Sequence, residues 1–364
     1  MKIFFVGPAN SEHIVRWVNA LTERGHKVYL ASLANHPASS EINIKISIYK
    51  LRIKGMKGYY LNTIQLRRLI KKISPDIINV HYASGYGTLM RWAKIDNAIL
   101  SVWGSDVYEF PYKNKICNRI IKKNLLYAKR IASTSYCMAE QIEKLIGHTK
   151  RIDITPFGIE LKEYNIKKDK TTDKIIIGCV KTLEPNYGID YLIKSIRILI
   201  DSLNEKGNKE VANKIRCKIY GNGSQKQQLE NLIETEKLHD IVTLEGKIPH
   251  SVVAQKLQEM DIFVALSNKE SFGVAALEAS AVGLPVVLSD ADGFKEVEED
   301  GVTGIIVEKQ SPMKAAEALE KLVMDEKLRY CMGTEGRKRV EERYDWNRCV
   351  DVMEELYKGE DVQI

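Results

Sequence analysis

The strongest constraint on this chain is an alternation that runs through it twice. Short apolar or β-branched runs (Met1–Val6, Lys27–Ala31, Ile77–Val80, Ala98–Val102, Arg130–Thr134) are separated by stretches of helical periodicity. In the first of these, Ile14–Arg24, residues Ile14, Val15, Trp17, Val18 and Leu21 share one face. Apolar runs interleaved with amphipathic helices predict parallel strands, because a helix must carry each strand back to the start of the next. The pattern lapses over Asn165–Asp173, a polar stretch that predicts a linker. It resumes with strands at Ile175–Val180, Arg216–Tyr220, Val242–Glu245, Ile262–Leu266, Pro285–Ser289 and Gly304–Val307. Helices are expected over Gly188–Asn204, Gln225–Glu236, Ser251–Met260 and Gly273–Val282, with a helical tail from Pro312 to Lys358. The expected fold class is α/β, with two Rossmann-like doubly wound domains facing each other across a cleft. Residues 1–168 would form the first and 169–343 the second. Ligands in such sheets sit beyond the carboxyl ends of the strands, so the chemistry is expected there.

A chain of 364 residues, 44% hydrophobic and 28% charged, suffices for two cores and is not a disordered composition. No apolar run approaches the roughly 18 residues of a membrane span. Met1–Val6 ends at Gly7-Pro8, too soon for a secretory leader, and reads as a buried first strand. The expected location is cytoplasmic, and the six scattered cysteines are expected to be reduced. The seven histidines form no paired helical spacing, so no metal is expected.

Charge is unevenly placed. Residues 1–170 hold 29 Lys and Arg against 13 Asp and Glu, whereas residues 171–364 hold 26 against 35. Two basic stretches with helical spacing, Leu66–Lys72 and Lys113–Lys123, read either as solvated helix faces or as peripheral contacts with an anionic membrane. No aromatic-interleaved basic patch accompanies them, which argues against a nucleic-acid partner.

The chemistry concentrates after the run Ile262–Leu266. There a loop carries Glu270, Ser271 and Phe272, Gly273 opens a helix, and Glu278 lies two turns in. A helix N-terminus offers unpaired amides and the positive end of its dipole, a seat for a diphosphate. Amides near Phe272, Gly273, Val274 and Ala275 would take the phosphates, Glu278 the ribose hydroxyls and Glu270 the hydroxyls of a sugar. Glu278 stands among Val274, Ala275, Leu277, Ala279 and Val282, where an acid is costly unless paired.

These residues resemble the retaining GT-B glycosyltransferases of family 4, also called group 1. The Glu-x7-Glu pattern is Glu270 and Glu278, followed by Gly283-Leu-Pro285-Val-Val, Gly293, Glu296, Gly301 and Gly304. Tyr220-Gly221-Asn222-Gly223, Gly246-Lys247-Ile248-Pro249 and Asp261–Ser267 fall at the family's positions upstream. In the first half, Ile14–Val28, Pro75–His81 and Val102-Trp103-Gly104-Ser105-Asp106 are also typical. The resemblance implies a GT-B fold whose C-terminal helix, about 344–364, crosses back to the first domain. It implies transfer of a hexose or N-acetylhexosamine from a UDP-sugar, or less favoured a GDP-sugar, with retention and without a metal or other cofactor. The acceptor would be a saccharide, lipid-linked given the basic first domain, in bacterial surface polysaccharide or glycoconjugate synthesis. The protein would be a monomer or weak dimer. Gly221, Gly223, Lys247, Ile248, Pro249 and Ser271 would complete the donor site. Gly7, Asn10, Ser11 and His13, with Trp103, Gly104 and Ser105, would form an acceptor or phosphate loop.

Three positions depart from the family. Lys181 stands at or one residue before the usual Arg, Tyr187 replaces a Lys, and Trp103 replaces a His. The opening loop Gly7-Pro8-Ala9-Asn10-Ser11 also lacks the Gly-Gly pair often found in relatives. With Trp103 unable to accept a proton, catalytic assistance would fall to Asp106 first and His81 second, with Glu270 and Lys181 on the donor side. In a front-face mechanism the departing phosphate takes the acceptor's proton, and no strong protein base is required. The alternatives are a non-catalytic nucleotide-sugar-binding subunit and a GT-B nucleotide-sugar epimerase.

Overall fold

The computed structural model describes residues 1–165 and 172–360. It divides into two compact units, Met1–Pro156 with Cys349–Ile364, and Phe157–Arg348. Residues 166–171, most of the expected linker, lie outside the described residues.

Among its described residues the first unit has seven strands: β1 (Lys2–Val6), β2 (Lys27–Leu33), β3 (Ser47–Leu51), β4 (Ile77–His81), β5 (Ile99–Ser101), β6 (Arg130–Ser133) and β7 (Ile152–Ile154). They lie in the order β3-β2-β1-β4-β5-β6-β7, every neighbouring pair parallel. β1 is central, and Ile3, Phe4, Phe5 and Val6 are fully buried, which is why the run carries no alternation. β3 and β7 were not among the expected strands. β3 is an edge strand with mostly solvent-facing residues, Ser-Ile-Tyr-Lys-Leu, and β7 is only three residues long.

Among its described residues the second unit has six: β8 (Ile175–Val180), β9 (Ile215–Tyr220), β10 (Val242–Gly246), β11 (Ile262–Ala265), β12 (Val286–Ser289) and β13 (Gly304–Val307). Their order is β10-β9-β8-β11-β12-β13, again all parallel. Strand order reverses between β1 and β4 in one sheet and between β8 and β11 in the other. These are the switch points where helices leave opposite faces and a crevice opens. Gly7 follows β1 and His81 ends β4; Lys181 follows β8 and Ser267 lies just past β11.

Helix ends follow local chemistry. The expected helix at Gly188 begins instead at Ile189 and runs to Glu205, because Gly188 takes a left-handed φ of 63°. A Cβ there would lie 2.1 Å from the Leu266 carbonyl, so only glycine lets the two loops meet. The tail is three helices, Pro312–Met324, Glu326–Arg343 and Trp346–Lys358. The first is capped by Ser311, whose side chain accepts from the Lys314 amide, with Pro312 in the first turn.

The unit boundary falls earlier than the expected 168/169. Ile159 donates its amide to Tyr344 and accepts one from Trp346, fixing residues 157 onward on the second unit. At the other end the change comes inside the last helix, after Arg348 rather than at 344. From there Glu354 accepts from Arg24 at 2.9 Å, and Tyr357 accepts from Asn79 at 2.7 Å. Arg24 also pairs with Asp351.

Candidate functional site

In the second unit the loops after β8, β9, β10 and β11 are stitched together by backbone bonds. Lys181 donates to Tyr220, Leu183 to Asn222, and Gly221 to Gly246. Gly221 and Gly223 are needed for close approach of the backbone: a Cβ would lie 1.8 Å from the Lys181 carbonyl and 2.3 Å from that of Leu183, respectively. Asn268 donates its amide to Asn186 and its side chain to Pro185, joining the turn after β8 to the loop after β11.

That arrangement brings Lys181 to Glu270, Nζ to Oε2 at 2.5 Å, with 13% of each side chain exposed. Nζ also lies 4.7 Å from the centroid of the Tyr187 ring. The residue that replaces the family's second cation therefore grips the first through its π-face. Burial works against the Lys181 charge, but Glu270 outweighs it, with Tyr187 and Cys179 adding, and the amine is held above its ordinary value.

Glu270 is fixed from below by Gly293, whose amide donates to the Glu270 carbonyl and whose Cβ, were there one, would lie 2.4 Å from the Phe272 amide nitrogen. Phe272 itself points into an aromatic cluster, edge-on to Phe157 and Tyr344 at 6.2 and 5.8 Å. Its side chain anchors the loop, leaving only its backbone for a ligand. Gly273, at φ 105°, opens the helix Val274–Ala281. The first intrahelical donors are Ala276 and Leu277, both onto the Gly273 carbonyl. The amides of Val274 and Ala275 thus belong to the unsatisfied first turn, and both residues are half-buried, as are Ser271 and Ile248; Lys247 and Pro249 are exposed.

Glu278 is 6% exposed and paired, which answers the cost of burying it. Tyr164 donates its hydroxyl to Oε1 at 2.8 Å, and His250 Nε2 lies 3.0 Å from the same atom. Both partners escaped the sequence reading. His250 sits one residue past the Gly246–Pro249 run, and Tyr164 is 114 residues away with no motif to mark it.

The first unit reassigns Asp106. It is fully buried and accepts amides from Ala83 at 2.8 Å, Gly104 at 2.9 Å and Trp103 at 3.1 Å. Burial pushes its carboxyl up to about 6 against the lowering effect of those amides. Asp106 staples the loops after β4 and β5 and presents no surface to a substrate, so the structure gives the expected first-choice acid–base residue a structural task.

His81 is also fully buried, stacked on Phe5, and burial with the nearby His13 lowers its pKa to about 3. Trp103 donates Nε1–H to His81 Nδ1 at 3.3 Å, which puts the imidazole proton on Nε2. Among the described residues that Nε2 has no partner. A neutral imidazole of this kind donates rather than accepts. His13 meets Trp103 edge-on at 5.3 Å, and Tyr82, next in chain to His81, holds an unusual φ of 77°. Gly7 is buried against Ile14, Ser11 and His13 are half-buried, and Asn10 and Ser105 are exposed. Tyr82 and Ser105 hydroxyls are 3.2 Å apart.

The family model "Glycosyl transferases group 1" matches residues 160–339, and "Glycosyl transferase 4-like" matches residues 2–135. The chain belongs to the group 1 glycosyltransferases. Among curated proteins this glycosyltransferase is 23% identical to the N-acetyl-alpha-D-glucosaminyl L-malate synthase of Bacillus anthracis, over 93% of this chain and 90% of that one. Sucrose-phosphate synthase from Thermosynechococcus elongatus superposes with a TM-score of 0.83 at 18% identity, covering 98% of both chains. Anabaena HepE, solved with UDP and glucose, gives 0.79 at 14% identity, covering 99% of this chain and 100% of that one. The glycosyltransferase therefore has the GT-B fold. Among its described residues no cluster of three or more His, Cys, Asp or Glu could hold a metal ion, and no helix is long and apolar enough to cross a membrane.

Proposed function

We propose that the second unit binds a nucleotide sugar, UDP-linked in preference to GDP-linked, and that the enzyme transfers its hexose or N-acetylhexosamine with retention and without a metal. The observation that carries this reading is the Lys181–Glu270 pair beside the open first turn of the helix Val274–Ala281. A diphosphate seated on the Val274 and Ala275 amides would leave with its developing charge taken by those amides and by Lys181. Glu270 would then hold the sugar's hydroxyls, and the departing phosphate would take the acceptor's proton. HepE's structure with UDP and glucose supports UDP as the carrier.

The acceptor in this reading is a saccharide carried on lipid at an anionic membrane. Support comes from the surface of the first unit: residues 42–75 hold nine Lys and Arg and neither Asp nor Glu. Met56, Ile64 and Trp92 are all more than half exposed, and Trp92 meets Tyr60 edge-on at 5.5 Å. Arg67 donates to the Ala93 carbonyl at 2.6 Å, which places a cation beside Trp92. Apolar tips ringed by Lys and Arg suit an anionic lipid surface. Incubation with a panel of UDP- and GDP-sugars tests the donor side. Slow donor hydrolysis supports a transferase; epimerised donor, or binding without turnover, would overturn it.

A further inference from the structure

Glu278 takes two protein hydrogen bonds through one oxygen, and neither donor belongs to the Glu-x7-Glu segment. Tyr164 is 3% exposed, near the start of the second unit, while His250 opens the turn His250–Val252 after β10 with 46% of its side chain exposed. Tyr164 is itself fixed. Its carbonyl accepts from Arg337 Nη1 at 2.6 Å, and the same nitrogen donates to the Ala281 carbonyl. Ala281 is the last residue of the helix that carries Glu278. One guanidinium thus ties Tyr164 to the end of that helix, and the tyrosine hydroxyl reaches back to Glu278.

A carboxylate oxygen has two lone-pair directions, so Oε1 is filled by Tyr164 and His250. Oε2 has no protein partner among the described residues. We propose that Tyr164 and His250 are positioning residues for ribose recognition: they hold Glu278 by Oε1 so that Oε2 alone receives the 2′ and 3′ hydroxyls of the donor nucleotide. The enzyme then selects ribonucleotides over deoxyribonucleotides through two side chains that never touch the sugar. The inference rests on the reading of the second unit as the nucleotide-sugar site. A carboxylate without these bonds would rotate freely, and each hydroxyl would meet it in only part of its orientations.

Calorimetric titration of the full chain with UDP, 2′-deoxy-UDP, 3′-deoxy-UDP and 2′,3′-dideoxy-UDP, with the GDP series in parallel, separates the two claims. The wild type should bind UDP about tenfold more tightly than either monodeoxy analogue, the scale of one hydrogen bond to a charged group. In Tyr164→Phe and His250→Ala that ratio should fall toward one while affinity for 2′,3′-dideoxy-UDP, which offers Glu278 no hydroxyl, stays unchanged. A purely structural loosening would weaken all the ligands alike. An undiminished ratio in both variants, or equal weakening of every nucleotide, overturns the inference while leaving the donor site in place. Wild-type protein that binds UDP without ribose preference also overturns it. Failure to bind any UDP or GDP species removes the donor site and the inference together.

Discussion

Replacing Lys181 by Met separates the job its ammonium performs in this structure, pairing with Glu270, from the one proposed for it, gripping a leaving diphosphate. The pair with Glu270 is largely buried, 13% of each side chain exposed, so removing the cation strands a carboxylate in a site poor in water. Breaking a buried pair from one side costs about 3–5 kcal/mol. The residual exposure of Glu270 puts the expected loss near the lower end, about 3 kcal/mol. Glu270→Gln on the same background should recover most of that stability, because neither partner is then charged. Activity should follow a different course. Loss of a preorganised positive group facing a leaving diphosphate lowers kcat by about 10²–10³, and the double variant should stay inactive. The assay is UDP release from UDP-sugars, alongside thermal melting and binding of UDP against uridine. Lys181→Met should weaken UDP and leave uridine unchanged, since only UDP carries phosphate. Equal weakening of both, or turnover within tenfold of wild type, would refute the phosphate-gripping role.

Other expectations follow from single contacts. Glu298 is 2% exposed, accepts from Ser280, and is pushed up to about 7 by burial, with Oε2 unpartnered among the described residues. A carboxyl raised in the folded state contributes stability that is complete below its unfolded value of 4.5 and is lost as pH climbs through 7, about 3 kcal/mol in all. Glu298→Gln should therefore flatten the melting temperature between pH 5 and 8; an unchanged slope contradicts this. Asp106→Ala should destabilise the first unit by about 2–4 kcal/mol, since it strands three buried amides, and a loss of activity without a loss of stability would restore a direct catalytic role. Serine at Met56, Ile64 and Trp92 should weaken binding to anionic vesicles while sparing donor hydrolysis; equal vesicle binding would return this surface to plain solvation.

Most of the fold was legible because parallel strands buried on both faces must be written as apolar runs. β1, β4, β8 and β11 are such runs, and they set both switch points. β3 escaped because an edge strand need bury only one face, and its Ser-Ile-Tyr-Lys-Leu is largely solvated. The Glu270–Glu278 segment was legible because its spacing along a loop and helix is local. What the sequence could not show were contacts closed by the fold, such as Tyr164 to Glu278 and Tyr187 to Lys181. Asp106 was misread for the same reason. An acid at the head of a short helix looks reactive until the three amides that enclose it are seen. Trp103, read as the loss of a catalytic His, proves to be the group that sets the proton of His81.

The most direct test is UDP release from a panel of UDP-sugars by wild-type protein and by Glu270→Ala at matched thermal stability. The expected result is slow hydrolysis of at least one UDP-sugar by the wild type and none above background by the variant. Equal release by the two proteins would contradict the placement of the donor sugar at Glu270, whatever else the second unit binds.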